Sequence, residues 1–198
     1  MKNRRFFGLL AVVLAVLAGC AETTPPPATA PEDPAPPTVP DTAACADLPE
    51  TLPSLEVSAG TQCFLTGTAI QGDVTVAAGG DLKGISVQIG GSVRGEGAAL
   101  VSLETSNVTG GVLINGGASA EIVDSNVEGD VGLIGSSSSA SISGTTVGGN
   151  LEVSRNSGGT FVDANTIGGN LICEGNAAVP EGSENLVAGD STGQCADF

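Results

Sequence analysis

The 198-residue chain has no histidine, no tryptophan and no tyrosine. Without histidine there is no His-based catalytic triad and no imidazole metal site. The 5 phenylalanines and 1 methionine leave little bulk for a wide globular core. Basic residues are scarce, 6 Lys and Arg against 22 Asp and Glu, a net charge of −16. Such a surface repels nucleic acids and anionic headgroups and favours solubility. No glycine-rich stretch is followed by Gly-Lys-Ser/Thr, so a phosphate-binding P-loop is missing. From residue 45 onward no long helical periodicity appears.

Glycine and small β-branched residues are abundant there, and they recur. The unit is Val or Ile, any residue, Gly, any residue, then Val or Leu. It occurs as Ile70-Gln71-Gly72-Asp73-Val74 and Ile89-Gly90-Gly91-Ser92-Val93, and again at Val108–Val112, Val127–Val131, Val147–Leu151 and Ile167–Leu171. A worn copy follows at Val187–Ser191. The aligned glycines are Gly72, Gly91, Gly110, Gly129, Gly149, Gly169 and Gly189, spaced by 19 or 20 residues. Two apolar columns precede the unit, one running from Cys63 to Thr160 and the other from Leu65 to Val162. A third follows it, from Val76 to Cys173. Pairs two residues apart have strand alternation.

Strands this short, repeated at a fixed period, bury their apolar faces only by stacking on copies of themselves. The pattern predicts an all-β, single-domain parallel β-solenoid over residues 45–198, a right-handed β-helix of about six to seven coils. A β-sandwich also has many short strands, but does not require one glycine at the same phase in consecutive units. The glycine column marks a corner where φ is positive or where a Cβ would strike the neighbouring layer. Just before it runs a small polar ladder, Thr68, Ser106, Ser125, Thr145 and Asn165, suited to bonding between layers. Segments after the third column, such as "NGGAS", "GSSSS" and "SRNSGG", vary and are expected to project as edge loops.

The N-terminus combines Lys2, Arg4 and Arg5 with an apolar run over residues 6–18, too short for a finished transmembrane helix and suited to a signal peptide. It ends in Leu17-Ala18-Gly19-Cys20, which resembles the lipobox of bacterial lipoproteins. The resemblance implies lipidation of Cys20 and removal of residues 1–19. An ordinary signal peptide with an incidental cysteine is the alternative, and "RRFF" partly resembles a twin-arginine signal. Ala21 resembles the residue of lipoproteins sent to the outer membrane; in a one-membrane bacterium the anchor would lie in the outer face of the plasma membrane. Residues 20–44 hold eight of the 11 prolines and are expected to form a solvated, extended tether. Removal of residues 1–19 leaves 3 basic residues, Lys83, Arg94 and Arg155, against 22 acids, a net of −19.

Cys45, Cys63, Cys173 and Cys195 remain, and export favours disulfides. In a solenoid Cys63 and Cys173 stand five coil steps apart, about 24 Å, beyond the reach of a bridge. The expected pairs are therefore Cys45–Cys63 and Cys173–Cys195, one at each end.

The segments "NTIGGNLICEGN", "ENLVAGDSTGQC" and "GTQCFLTGTAIQGDVTV" are similar to those of a group of exported bacterial repeat proteins with serial "NTVGGNLQ"-type units and terminal cysteine pairs. The resemblance implies a β-helical fold and the same cysteine pairing, and no activity.

Candidate chemical groups are few. The column Asp73, Ser92, Gly111, Asp130, Asn150, Asn170 and Asp190 has too few acids for a repeated calcium site, so no metal or other cofactor is expected. Glu104 and Asp163 share a phase but lie three coils, about 14 Å, apart, too far for a glycosidase pair. Glu121 and Asp124 flank Ile122 and Val123 in one coil, and Arg94 lies one coil from Asp73, where a surface ion pair is expected. The expected role is a non-catalytic, monomeric, surface-displayed lipoprotein: a spacer, adhesin or ligand-binding module. Its partners would be the membrane through its anchor and an envelope or host glycan or protein. The alternatives are a self-assembling envelope scaffold and a polysaccharide-acting β-helix enzyme.

Overall fold

The computed structural model describes Cys45 and residues 48–198. The signal segment, Cys20 and the proline-rich stretch lie outside the described residues.

The described chain is a parallel β-solenoid. Each of the first six coils lays one strand into each of three sheets, and the last two into sheets A and B alone. Sheet A stacks eight two-residue strands, from Thr51–Leu52 to Leu186–Val187. Sheet B stacks eight strands of three or four residues, from Leu55–Val57 to Ser191–Gly193. Sheet C stacks six five-residue strands, from Gln62–Thr66 to Gly159–Asp163. Register follows the repeat: Ile70 pairs with Ile89, Val93 with Val112, and Ile122 with Ile142.

Alternation explains the core. In each sheet C strand the second and fourth residues point inward, as Cys63 and Leu65 do in the first. Ile122, Leu133, Ile142, Leu151 and Leu171 are at most 1% exposed. The lumen is a narrow aliphatic column, and the apolar columns read from the repeat supply it.

There are more coils than the six to seven expected. Sheets A and B show eight. The additional coil lies at the N-terminal end, where Leu52-Pro53-Ser54-Leu55 turns the corner one residue short and without glycine. A repeat keyed on glycine passes over it.

Both expected disulfides are present. Cys45 and Cys63 have Cα atoms 4.9 Å apart, and Cys173 and Cys195 5.4 Å. Each bond ties a terminal segment to an inward-facing core position. They lie at opposite ends of the stack, where strand edges are open.

Candidate functional site

Three corners join the sheets, and each has its own hydrogen-bond ladder. At the corner from sheet C to sheet A, the backbone amide of one coil donates to a side chain of the next. Val87 N donates to Ser106 Oγ (3.2 Å), Ser106 N to Ser125 Oγ (3.0 Å) and Thr145 N to Asn165 Oδ1 (3.0 Å). This is the small polar ladder read from the sequence, and its members from Ser106 to Asn165 are buried.

At the corner from sheet A to sheet B the direction reverses. The amide of a coil donates to a side chain of the coil before it, at five steps of the stack. Ser92 N donates to Asp73 Oδ1 (2.7 Å), Asn150 N to Asp130 Oδ1 (2.7 Å) and Asp190 N to Asn170 Oδ1 (2.8 Å). The column considered for calcium is thus engaged in capping backbone amides. No group of three or more His, Cys, Asp or Glu placed to hold a metal occurs among the described residues.

The corner glycines serve this second ladder. None has a left-handed φ. Close approach is the reason for them: a Cβ on Gly169 would lie 2.5 Å from Asn150 Oδ1 and 2.8 Å from Gly149 O. On Gly91 or Gly149 it would strike the capping carboxylate of Asp73 or Asp130. A glycine in one coil makes room for the cap from the preceding coil.

Left-handed residues occupy the other two corners. At the corner from C to A they are Ser86, Thr105, Asp124 and Ala164, with Gly67 and Gly144, at φ between 48° and 65°. Between sheets B and C stand Gly60, Gly79, Gly97, Gly116, Gly135 and Gly175, with Arg155 the exception at φ 58°. A side chain in this conformation costs about 1–2 kcal/mol. Arg155→Gly is therefore expected to stabilise the chain by about 1 kcal/mol, raising Tm by about 3 °C; an unchanged or lower Tm in thermal denaturation would contradict this.

The third ladder lies at that same corner from B to C, inside segments expected to project. Ser136 N donates to Asn156 Oδ1 (2.7 Å), Asn156 N to Asn176 Oδ1 (3.0 Å) and Asn176 N to Gln194 Oε1 (2.9 Å). Ser136 and Asn156 are fully buried. "GSSSS" is thus buried at Ser136 and "SRNSGG" at Ser154 and Asn156, a correction to the loop expectation. The 20-residue step from Ser136 to Asn156 to Asn176 was the available signal.

The acids considered for catalysis serve separate ends. Glu104 and Asp163 share a row of sheet C, three strands apart. Asp163 Oδ1 accepts from Ser183 N (2.9 Å). Glu121 points outward and accepts from Ser102 Oγ (3.2 Å), whereas Asp124 sits at a left-handed corner. Arg94 does not pair with Asp73. It pairs by register with Thr75 and Leu113 on sheet B and makes no ion pair with a described residue.

Arg94 instead borders a cleft of about 570 Å³ on the outer face of sheet B. The outward row there reads Arg94, Leu113, Gly132, Glu152 and Ile172. Gly132 removes one side chain from this row, and Gly111 removes one from the capping column beside it. Leu113 leans over the notch: a Cβ on Gly132 would come within 2.8 Å of Leu113 Cδ1. Ile134 and Ile172 add apolar wall, while Asp130 and Glu152 place carboxylates across from the guanidinium. This arrangement suits a ligand with an apolar body and an acidic group for Arg94.

Fold and surface define a class, the disulfide-stapled parallel β-solenoids. Compared with protein-family models, curated proteins and solved structures, the chain matches none.

Proposed function

We propose that the protein is a lipid-anchored solenoid displayed on the bacterial cell envelope, where it acts as a rigid spacer presenting a ligand-binding surface, without catalysis. The lipobox-like ending at Cys20 and the proline-rich stretch support anchoring and spacing. The similarity to exported "NTVGGNLQ"-type repeat proteins is in keeping with this. The observation that carries the binding role is the sheet B cleft, where Arg94 has no partner in an otherwise acidic surface. Arg94 is exposed and free of an ion pair, and its planar guanidinium can take a carboxylate through two parallel hydrogen bonds, which adds specificity as well as affinity.

Two measurements test the parts separately. The full chain is expected in the membrane fraction with incorporated fatty acid, and Cys20→Ser in the soluble fraction without it; identical fractionation of both would count against the anchor. In a panel of carboxylate-bearing peptides and glycans, at least one is expected to bind the full chain and to lose about tenfold or more in affinity with Arg94→Ala. Binding unaffected by Arg94→Ala would remove the cleft from the reading.

A further inference from the structure

We infer that the outer face of sheet C binds an extended neutral glycan laid along the solenoid axis, with Phe64 and Phe161 as its two stacking platforms. This rests on the binding role proposed above, but on a different face and on different observations.

The solenoid lumen takes only aliphatic side chains of modest size, so an aromatic residue in a coil stands outside it. Among the described residues there are three phenylalanines, and one is the terminal Phe198. The other two stand in the same outward row of the same sheet. Register runs from Phe64 through Lys83, Ser102, Glu121 and Ser141 to Phe161. Phe64 is 63% exposed and Phe161 44%. Exposed phenylalanine contributes nothing to the core, and two in one row make a surface feature.

Phe161 has a bed to lie on. A Cβ on Gly159, two residues earlier in the strand, would come within 3.1 Å of Phe161 Cε2. The ring therefore leans across the strand over the glycine and offers its other face outward. Flat aromatic faces take the C–H face of a pyranose ring.

The floor between the platforms is polar throughout, with Lys83 and Glu121 alternating with two serines. Ser102 and Ser141 keep it level. Ser102 Oγ donates to Glu121 Oε2 at 3.2 Å, which fixes the carboxylate and leaves its other oxygen for a ligand hydroxyl. In the adjacent row Ser139 Oγ donates to Ser119 Oγ at 3.2 Å. Lys83, Glu121 and Ser141 offer donors and acceptors to sugar hydroxyls, while Ser102, 4% exposed, holds Glu121 in place beneath them.

Length and charge narrow the ligand. Five strand steps separate the platforms, about 24 Å. A sugar unit of an extended glycan advances about as far as one coil, so a run of about six units places one on each ring. A single sugar reaches only one ring. Asp81, Glu104, Glu121 and Asp163 lie on this face with Lys83 as the one cation. Uronic-acid and sulfated polymers are repelled by it. Two weak platforms engaged by one chain act through their effective concentration, so affinity rises with ligand length.

The test uses the full chain in affinity electrophoresis against soluble neutral glucans, xylans, mannans and galactans, with alginate and hyaluronan as acidic controls. Retardation is expected with at least one neutral polymer and with neither acidic one. Oligosaccharides of the retained polymer, titrated by calorimetry, are expected to gain affinity up to about six units. Phe64→Ala and Phe161→Ala should each weaken the longest by about tenfold and abolish the gain with length. Both side chains are exposed, so Tm should hold and confirm that each variant folds. No retardation by any neutral polymer, or retardation insensitive to both substitutions, overturns the inference. Loss of glycan binding in Arg94→Ala but not in the phenylalanine variants would leave the binding role standing and overturn this face as its seat.

Discussion

Asn156→Ala is expected to lower stability by about 3 kcal/mol, whereas Asn150→Ala, the same change one corner away, costs less than about 1 kcal/mol. Both asparagines are ladder members. Asn156 is 0% exposed, and its side chain accepts from Ser136 N at 2.7 Å while donating to Leu133 O at 3.1 Å and Asn176 Oδ1 at 3.0 Å. Alanine leaves the buried Ser136 amide without an acceptor and opens a polar void. Ser136 Oγ already has no hydrogen-bond partner among the described residues, so the variant would add a second unsatisfied polar group at the same buried residue. Asn150 caps Asn170 N at 2.9 Å, but it is exposed and water replaces it. Equilibrium denaturation of the two variants checks the difference. Equal losses would show that burial does not decide the worth of a rung.

Removal of the C-terminal staple by Cys173→Ala with Cys195→Ala is expected to cost about 3 kcal/mol. The bond closes a 22-residue separation, and both cysteines are fully buried, so the change also thins the core. The loss should be uneven along the stack. The last strand of sheet B, Ser191–Gly193, has one strand neighbour only and is held from beyond by Cys195. Hydrogen exchange should show early loss of protection at Gln194 N, which donates to Cys173 O at 2.6 Å, while Val112 and Val131 at mid-stack keep theirs. Uniform loss along the chain would mean that the coils melt as one unit and that the staple acts only through the unfolded state.

The sequence disclosed the solenoid because stacking imposes the same demand on every layer. Ile70, Ile89 and Val108 repeat because one inward position recurs, and strand register follows from their spacing. The cysteine pairing followed from distance along the stack. Handling of the corners was less legible. Gly149 and Gly169 signal a corner but not its cause, since positive φ and crowding by a neighbour leave the same letter. At the corner from C to A the left-handed position is filled by Ser86, Thr105, Asp124 and Ala164, so no single residue type marks it. Asn156 was hidden within a polar segment whose neighbours are exposed, because its 20-residue step to Ser136 and Asn176 joins polar residues of two types and no apolar column. The first coil was hidden by Pro53. The sheet B cleft arises from two missing side chains, at Gly111 and Gly132, that are twenty-one positions apart in the chain and become neighbours only in the stack.

The opposed ladders give the stack a direction. Where sheet A turns into sheet B, a coil leaves an acceptor standing for the amide of its successor, as Asp130 does for Asn150, the exception being Gly111. At the other two corners the successor brings the acceptor for an amide already in place, as Asn165 does for Thr145 and Asn156 for Ser136. A chain emerging from its N-terminal end therefore meets a seeded edge at every coil of this column except the one after Gly111: the newest coil is guided by a group set before it and in turn seals the coil behind. Assembly in the reverse order would meet the complementary groups at the opposite corners, so the two faces of the growing stack are chemically different templates.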